Sequence, residues 1–196
     1  MSSTHRRVLG AGVAATAIAA LVAGTPALAG PGNKPAVKGN PNLTSVQLLS
    51  FNDYHGRLQA TEGPLAAVFD PTATPVGGAE YLSSKLTELR SKVGDSKSLT
   101  VAAGDLIGGS PFLSGLFHDE PSVESLNAMG LDVSSVGNHE FDEGTDELLR
   151  MQKGGCHPVD GCYFPDEPYA GADFPWLAAN VIKKSNGRTF LPGTWV

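Results

Sequence analysis

Three short polar motifs of this chain carry side chains that could bind divalent cations. The motifs are Asn52–His55 (NDYH), Gly104–Asp105 (GD) and Gly137–Glu140 (GNHE). Asp53 and His55 lie two residues apart, so both side chains leave the same face of the chain while it stays extended. A carboxylate and an imidazole on one face could bind one cation, and this pair of ligands suits a transition metal.

The other two motifs could complete a site for two cations. Asp105 follows a glycine that lets the backbone approach the site closely, and its two carboxylate oxygens could each bind a different metal. Asn138 offers a neutral carbonyl oxygen to the second cation. His139, the next residue, must point elsewhere if the backbone is extended there, so it is the better candidate for a group that acts on the substrate.

His139 also has a potential carboxylate partner. Asp142 lies three residues later, close enough in a turn or helix start to accept a hydrogen bond from one imidazole nitrogen. The other nitrogen would then face the reacting group, and a histidine oriented in this way is a competent general acid. Glu140 and Glu143 are interpreted only as acidic residues that favour a helix start.

The charges of this candidate site suit a phosphate ester. Two divalent cations would outweigh the two carboxylates of Asp53 and Asp105, which leaves a positive site for a phosphate dianion. A chain of net charge −6 could in this way bind an acidic substrate. In sites of this kind a metal-bound water of lowered pKa attacks phosphorus in line. His139 would protonate the leaving alkoxide or stabilise charge on the phosphoryl oxygens.

The elements that must position these motifs alternate between strand and helix. Hydrophobic patterning predicts strands at 46–51, 98–103, 132–136 and 176–182, and helices at 78–93, 121–129 and 145–152. The first strand is expected to be buried. This alternation predicts an α/β domain with a largely parallel or mixed sheet. Each polar motif follows a predicted strand, and the carboxyl ends of strands are where open α/β sheets bind ligands.

The N-terminal segment has the features of an export signal. Arg6 and Arg7 precede an uncharged run rich in Ala, Val and Leu, and small residues follow. We therefore predict a signal peptide at 1–29 with cleavage after Ala29, and a secreted or cell-surface protein with no stable membrane span after cleavage. The sequence leaves open whether export is general or twin-arginine secretion. Residues 30–44 are predicted to be a flexible lead.

The two cysteines of the chain lie close together, at Cys156 and Cys162 in the segment GGCHPVDGC. In an exported protein this pair favours a local disulfide over a metal knuckle, which would need two more ligands nearby. His157, between the cysteines, and His118 lack acidic partners at useful spacing, so we interpret both as loop surface.

Composition and missing motifs exclude several classes of protein. With 41% hydrophobic and 17% charged residues, the chain is not a disordered tail, a fibrous repeat or a protein with many membrane spans. Lys and Arg number 14 against 20 Asp and Glu, without a basic run, so no nucleic acid polymer is expected as partner. The sequence also lacks the nucleophile elbow, the P-loop and the dinucleotide-binding glycine motif.

Three longer segments, FNDYHG (51–56), GDLIGGSP (104–111) and GNHEFDEG (137–144), together resemble a known family. They are similar, in this order, to the N-terminal half of the metallophosphoesterase domain of the secreted 5'-nucleotidase family, relatives of UDP-sugar hydrolase. The resemblance extends over residues 45–196. It implies an α/β fold of the calcineurin-like phosphoesterase type, a sandwich of two mixed sheets flanked by helices, of which this chain would hold the N-terminal half.

The resemblance also implies roles for the motif residues. The implied metal ligands are Asp53, His55, Asp105 and Asn138, and the implied catalytic pair is His139 with Asp142. Two divalent metal ions would be bound, with Asp105 between them, and zinc, manganese, magnesium and calcium all remain open. Family members carry further histidine ligands in a second half of the domain and a separate C-terminal nucleotide-binding domain. Both are expected to be absent here, because the chain ends at Val196.

These observations predict a hydrolase of the 5'-nucleotidase type that removes phosphate from extracellular nucleotides. One alternative is a truncated fragment without activity that binds at most one metal through Asp53, His55 and Asp105. Another is a relative that acts on cyclic phosphodiesters or nucleotide sugars. The expected partner in each active case is a small phosphoester, and the oligomeric state is left open.

Overall fold

The computed structural model describes residues 43–62, 68, 72 and 74–191. The predicted signal peptide at 1–29 and nearly all of the predicted lead at 30–44 lie outside these residues. From Thr44 onward the described residues belong to one unit. None of the helices in this part of the chain has the length and hydropathy that a membrane crossing requires.

The centre of the unit is a sheet of four parallel strands in sequential order. The strands are β1 (Gln47–Phe51), β2 (Ser98–Ala102), β3 (Val133–Ser135) and β4 (Trp176–Leu177). Gln47 lies opposite Ser98, and Ser134 lies opposite Trp176. The predicted α/β class with a parallel sheet is therefore confirmed.

Helices and turns connect the strands, and the helices at Gly78–Ser91, Glu120–Ala128 and Thr145–Lys153 are the predicted ones. The connecting elements are α1 (Gly78–Ser91), α2 (Phe112–Gly115), α3 (Glu120–Ala128), α4 (Thr145–Lys153) and short 3-10 turns at Asp95–Lys97 and His139–Phe141. Glycines set the limits of α4, because Gly144 (φ 90°) and Gly154 (φ 82°) adopt backbone angles that other residues avoid.

The last strand is much shorter than the predicted segment 176–182. After Leu177 the chain turns back on itself, so that Lys183 donates its N–H to the carbonyl of Arg188 at 2.8 Å. Ile182 forms only an isolated antiparallel bridge with Thr189. A hydrophobic run cannot reveal this reversal, because the turn depends on residues beyond the run.

The core lies between the sheet and the helices. Its largest fully buried side chains are Trp176, Phe174, Leu106, Leu126, Leu148, Met151 and Leu191. The prediction that the first strand is buried is wrong, because Leu48 is 63% exposed and its neighbour Leu99 on β2 is 41% exposed. Alternate strand residues point to opposite faces, and here the described residues cover only the face that carries Leu49 and Phe51.

A disulfide closes the loop that follows α4. Cys156 and Cys162 are joined with their Cα atoms 4.4 Å apart. Inside this ring, His157 and Gly161 exchange two backbone hydrogen bonds of 3.0 and 2.9 Å. The ring therefore holds His157 in a fixed turn.

Replacing both cysteines with serine is expected to lower the free energy of unfolding by about 2 to 3 kcal/mol, because the unfolded chain regains the entropy of an open loop. Urea unfolding without reductant measures the loss. Dithiothreitol should reproduce it in the wild-type chain and leave the Cys156→Ser/Cys162→Ser chain unchanged. An equal effect of the reductant on both chains would contradict the prediction.

Candidate functional site

The three polar motifs meet at the carboxyl edge of the sheet, where β1, β2 and β3 end. Backbone hydrogen bonds join the first two of these loops: Asp53 donates to the carbonyl of Gly104 at 3.1 Å, and His55 donates to that of Asp105 at 3.0 Å. Parallel strands place their carboxyl ends along one edge, so residues about 50 positions apart in the chain become neighbours.

The backbone of this edge is not extended. Asp53 (φ 54°), His55 (φ 47°) and Asp105 (φ 53°) all adopt the left-handed region, which residues other than glycine rarely enter. The expectation that an extended chain aligns Asp53 with His55 is therefore wrong. The turn still brings the two side chains together, with His55 Nε2 3.8 Å from Asp53 Oδ1. Conformations of this kind concentrate at functional sites.

The hydrogen bonds of His55 fix which of its nitrogens is available to a metal. Its Nδ1 lies 2.6 Å from the carbonyl oxygen of Gly108, which can only accept, so Nδ1 carries the proton. The lone pair is then on Nε2, the atom that faces Asp53. A histidine held by a backbone carbonyl in this way is the usual arrangement of a metal ligand.

Asp105 and His139 lie beside His55. Each of these three residues offers a ligand atom within 4.8 Å of the other two. Asp105 Oδ1 accepts the backbone N–H of His139 at 3.0 Å, and the rings of His55 and His139 meet edge to face with centroids 4.8 Å apart. A side chain at Gly137 would overlap the Asp105 carboxylate, so this position requires glycine.

His139 forms the predicted contact with Asp142. Its Nδ1 lies 2.7 Å from Asp142 Oδ2. This hydrogen bond is the main reason why the pKa of His139 is raised above its ordinary value, and the negative charges of Asp142, Asp105 and Glu140 add to the effect. The pair can therefore hold a proton on the imidazole while Nε2 faces away from Asp142.

Asn138 is the exposed residue before His139. Its backbone is helical (φ −76°, ψ −33°), not extended, because the 3-10 turn His139–Phe141 begins directly after it. Successive side chains still diverge in such a turn, as the sequence argument requires of Asn138 and His139. Within the described residues, no hydrogen bond joins the Asn138 side chain to Asp53, His55 or Asp105.

Glu140 has a role that the sequence argument missed. Its side chain is only 2% exposed, and its carboxylate accepts the backbone N–H groups of Asp105 (3.0 Å), Leu106 (2.8 Å) and Gly137. Burial raises its pKa, and these hydrogen bonds oppose that rise. Glu140 therefore joins the loop after β2 to the loop after β3. It does lie in the first turn of the 3-10 helix His139–Phe141, but the interpretation that it has no other role is wrong.

The interpretation of His118 and His157 as loop surface without acidic partners is also wrong. His118 Nδ1 lies 2.7 Å from Glu143 Oε2, and His118 Nε2 lies 2.8 Å from Asp160 Oδ2. These hydrogen bonds raise the pKa of His118 despite its partial burial, which lowers it. One signal was present in the sequence: Asp160 follows His157 by three residues, the spacing that joins His139 to Asp142.

The described residues form an α/β fold in which carboxylate and imidazole groups converge at the carboxyl edge of a parallel sheet. No family model matches the chain. It is 38% identical, over 79% of the relative's length, to an uncharacterized protein in the pqq-V 5' region of Acinetobacter calcoaceticus. It is 45% identical to Endonuclease YhcR of Bacillus subtilis, of which it covers 12% while 75% of this chain is matched.

The NAD 5'-nucleotidase of Haemophilus influenzae is 31% identical over 72% of this chain. The solved structure of the Haemophilus influenzae NAD nucleotidase superimposes on this chain with a TM-score of 0.52. The match covers 71% of this chain and 21% of the nucleotidase. The chain is similar in sequence and in fold to an N-terminal portion of 5'-nucleotidases. It spans only about a fifth of the length of its named nucleotidase relatives. The predicted metallophosphoesterase fold is confirmed, and the described residues form one parallel sheet of it.

Proposed function

We propose that this chain is a metal-dependent phosphoester hydrolase that removes phosphate from extracellular nucleotides. The observation that carries the proposal is the convergence of His55, Asp105 and His139 at the carboxyl edge of the sheet, with ligand atoms within 4.8 Å of one another. The similarity of the chain to part of a named 5'-nucleotidase, in sequence and in fold, supports the same reaction class. Export with removal of residues 1–29 is part of the proposal, since an extracellular substrate requires it.

The donor set suits divalent ions, which this family uses. Asp53, His55, Asp105 and Asn138 would hold two of them, and the free Nε2 of His55 beside the Asp53 carboxylate supports this assignment. When bound, such ions supply positive charge for the phosphate and an activated water as nucleophile. Glu140 helps to hold Asp105 in place, because its carboxylate accepts hydrogen bonds from the backbone N–H groups of Asp105 and Leu106.

His139 would act on the leaving group. As the bond between phosphorus and the ester oxygen breaks, the proton on His139 Nε2 would pass to that oxygen and give a free alcohol. Asp142 would hold the ring in place through Nδ1 and stabilise its protonated form. The raised pKa of His139 supports this role, since the imidazole must carry the proton before the step.

The test is hydrolysis of AMP and of p-nitrophenyl phosphate by the purified full chain with Mn²⁺, Zn²⁺ or Mg²⁺. We expect turnover that EDTA removes and added metal restores. Asp105→Asn should lower metal binding and turnover together, whereas Asp95→Asn, the same change in the exposed turn Asp95–Lys97, should alter neither. A folded chain without turnover in any metal would refute the proposal and favour the fragment without activity.

A second substrate class has one observation in its favour. The relative that is 45% identical is named an endonuclease, so it acts on phosphodiesters. The same assay with bis(p-nitrophenyl) phosphate and a cyclic nucleotide separates the classes. Turnover of the diesters that exceeds turnover of AMP would move the proposal from monoesters to phosphodiesters.

A further inference from the structure

We propose that His118, His157 and Glu143 form a second metal-binding site that takes a zinc-type divalent ion. These residues, with Glu147, each offer a ligand atom within 4.8 Å of the others. None of them belongs to the three motifs at the end of β1, β2 and β3, so the inference does not depend on the proposed hydrolase function. Two imidazoles and a carboxylate are ligands that zinc prefers.

The side chains are already close to the spacing of a metal site. The rings of His118 and His157 stack with centroids 3.8 Å apart and planes within 15°. Glu143 Oε2 lies 2.7 Å from His118 Nδ1. Ligand atoms at about 2.1 Å from a tetrahedral zinc ion lie roughly 3.4 Å from one another, so the atoms are near the required spacing. The two stacked rings would have to turn out of their parallel arrangement before both lone pairs reached one ion.

Asp160 is placed to orient both histidines. Its Oδ2 lies 2.8 Å from His118 Nε2 and 3.3 Å from His157 Nδ1. If His118 Nε2 donates its proton to Asp160, the lone pair of His118 lies on Nδ1. His157 Nδ1 accepts the backbone N–H of Asp160 at 3.1 Å, so the lone pair of His157 lies on Nδ1. A carboxylate behind the histidine is a recurrent feature of zinc sites, because it fixes the tautomer and strengthens the ligand.

The local charge also favours a cation. The acidic groups around the two rings are Glu143, Glu147 and Asp160, and the neighbouring cation is Arg150, which pairs with Glu147. Arg150 already pairs with Glu147 and Glu120. In the part of the chain that the structure describes, no lysine or arginine pairs with Glu143 or Asp160, so a divalent ion would supply the missing counter-charge.

Two local features make the site rigid. The Cys156–Cys162 ring fixes His157, whose side chain is only 13% exposed. On the other side, the turn at His118 (φ 47°) is held because the next residue, Asp119, accepts hydrogen bonds from Gly108 and Ser114. Metals bind most tightly to ligands that need little reorganisation.

The test separates this site from the first one. In the full chain, His55→Ala/Asp105→Asn removes ligands of the proposed hydrolase site, and zinc content after dialysis should remain near one ion per chain. Adding His118→Gln should raise the Kd for Zn²⁺ at least about 10-fold, and Asp160→Asn about 10- to 100-fold. Glu143→Gln should weaken binding, whereas Glu167→Gln, the same change at an exposed site, should not.

Circular dichroism confirms that each variant is folded. If the His55→Ala/Asp105→Asn chain does not fold, the comparison is made in the wild-type background, where His118→Gln should lower zinc content by about one ion. A folded His55→Ala/Asp105→Asn chain that binds no zinc would overturn the proposal and leave His118 as an imidazolium between two carboxylates. Equal weakening by Glu167→Gln would also overturn it, since binding would then be nonspecific.

Discussion

Replacing His139 with alanine is expected to lower kcat for phosphoester hydrolysis about 10²- to 10⁴-fold, with metal content unchanged. The loss would follow from the removal of the group that we propose protonates the leaving oxygen, since Asp142 holds His139 through Nδ1 and leaves Nε2 for the substrate. Steady-state kinetics with AMP, together with metal analysis of the same preparations, measures both quantities.

The variant Asp142→Asn tests the partner of His139 and should have a smaller effect than His139→Ala. The amide cannot stabilise a protonated imidazole as a carboxylate does, so kcat should fall by less than it does in His139→Ala. Asp146→Asn is the matched control, because Asp146 is exposed at the start of α4 and is absent from the hydrogen bonds of His139. His139 lies in one cluster with His55 and Asp105. If His139→Ala loses metal as well as activity, the residue is a ligand and not an acid.

Replacing Arg150 with alanine is expected to lower the free energy of unfolding by about 3 to 5 kcal/mol. The Arg150 side chain is only 8% exposed, and its partners Glu120 and Glu147 are 9% and 10% exposed. Removing the guanidinium would leave two buried carboxylates without a counter-charge. It would also remove the hydrogen bond of 2.8 Å to the carbonyl of Gly155.

Urea unfolding of the wild-type and Arg150→Ala chains measures this difference. The control is Arg188→Ala, because Arg188 is exposed and should change stability by no more than about 0.5 kcal/mol. A loss below about 1 kcal/mol in Arg150→Ala would show that the two glutamates find other partners or take up protons. Such a result would show that Arg150 is not needed to hold α3, α4 and the loop at Gly155 together.

Local sequence patterns were sufficient for most of the elements. The predicted helix at 145–152 is observed at Thr145–Lys153, and the predicted strand at 98–103 is observed at Ser98–Ala102. Hydrophobic spacing and glycine positions act over a few residues, which is why they can be recognised in the chain alone. The end of β4 was not predictable in this way, because the reversal after Leu177 depends on contacts with Thr189 and Arg188.

The sequence by itself determined which chemical groups follow each strand, and the motifs indicated a likeness to 5'-nucleotidases. Only the tertiary structure decided how the groups face one another. Glu140 became a buried clamp and His118 acquired Glu143 and Asp160 because the strand order brings distant loops together. Side-chain partners separated by 25 to 42 residues leave no periodic trace in a sequence, since their proximity results from the packing of the whole sheet.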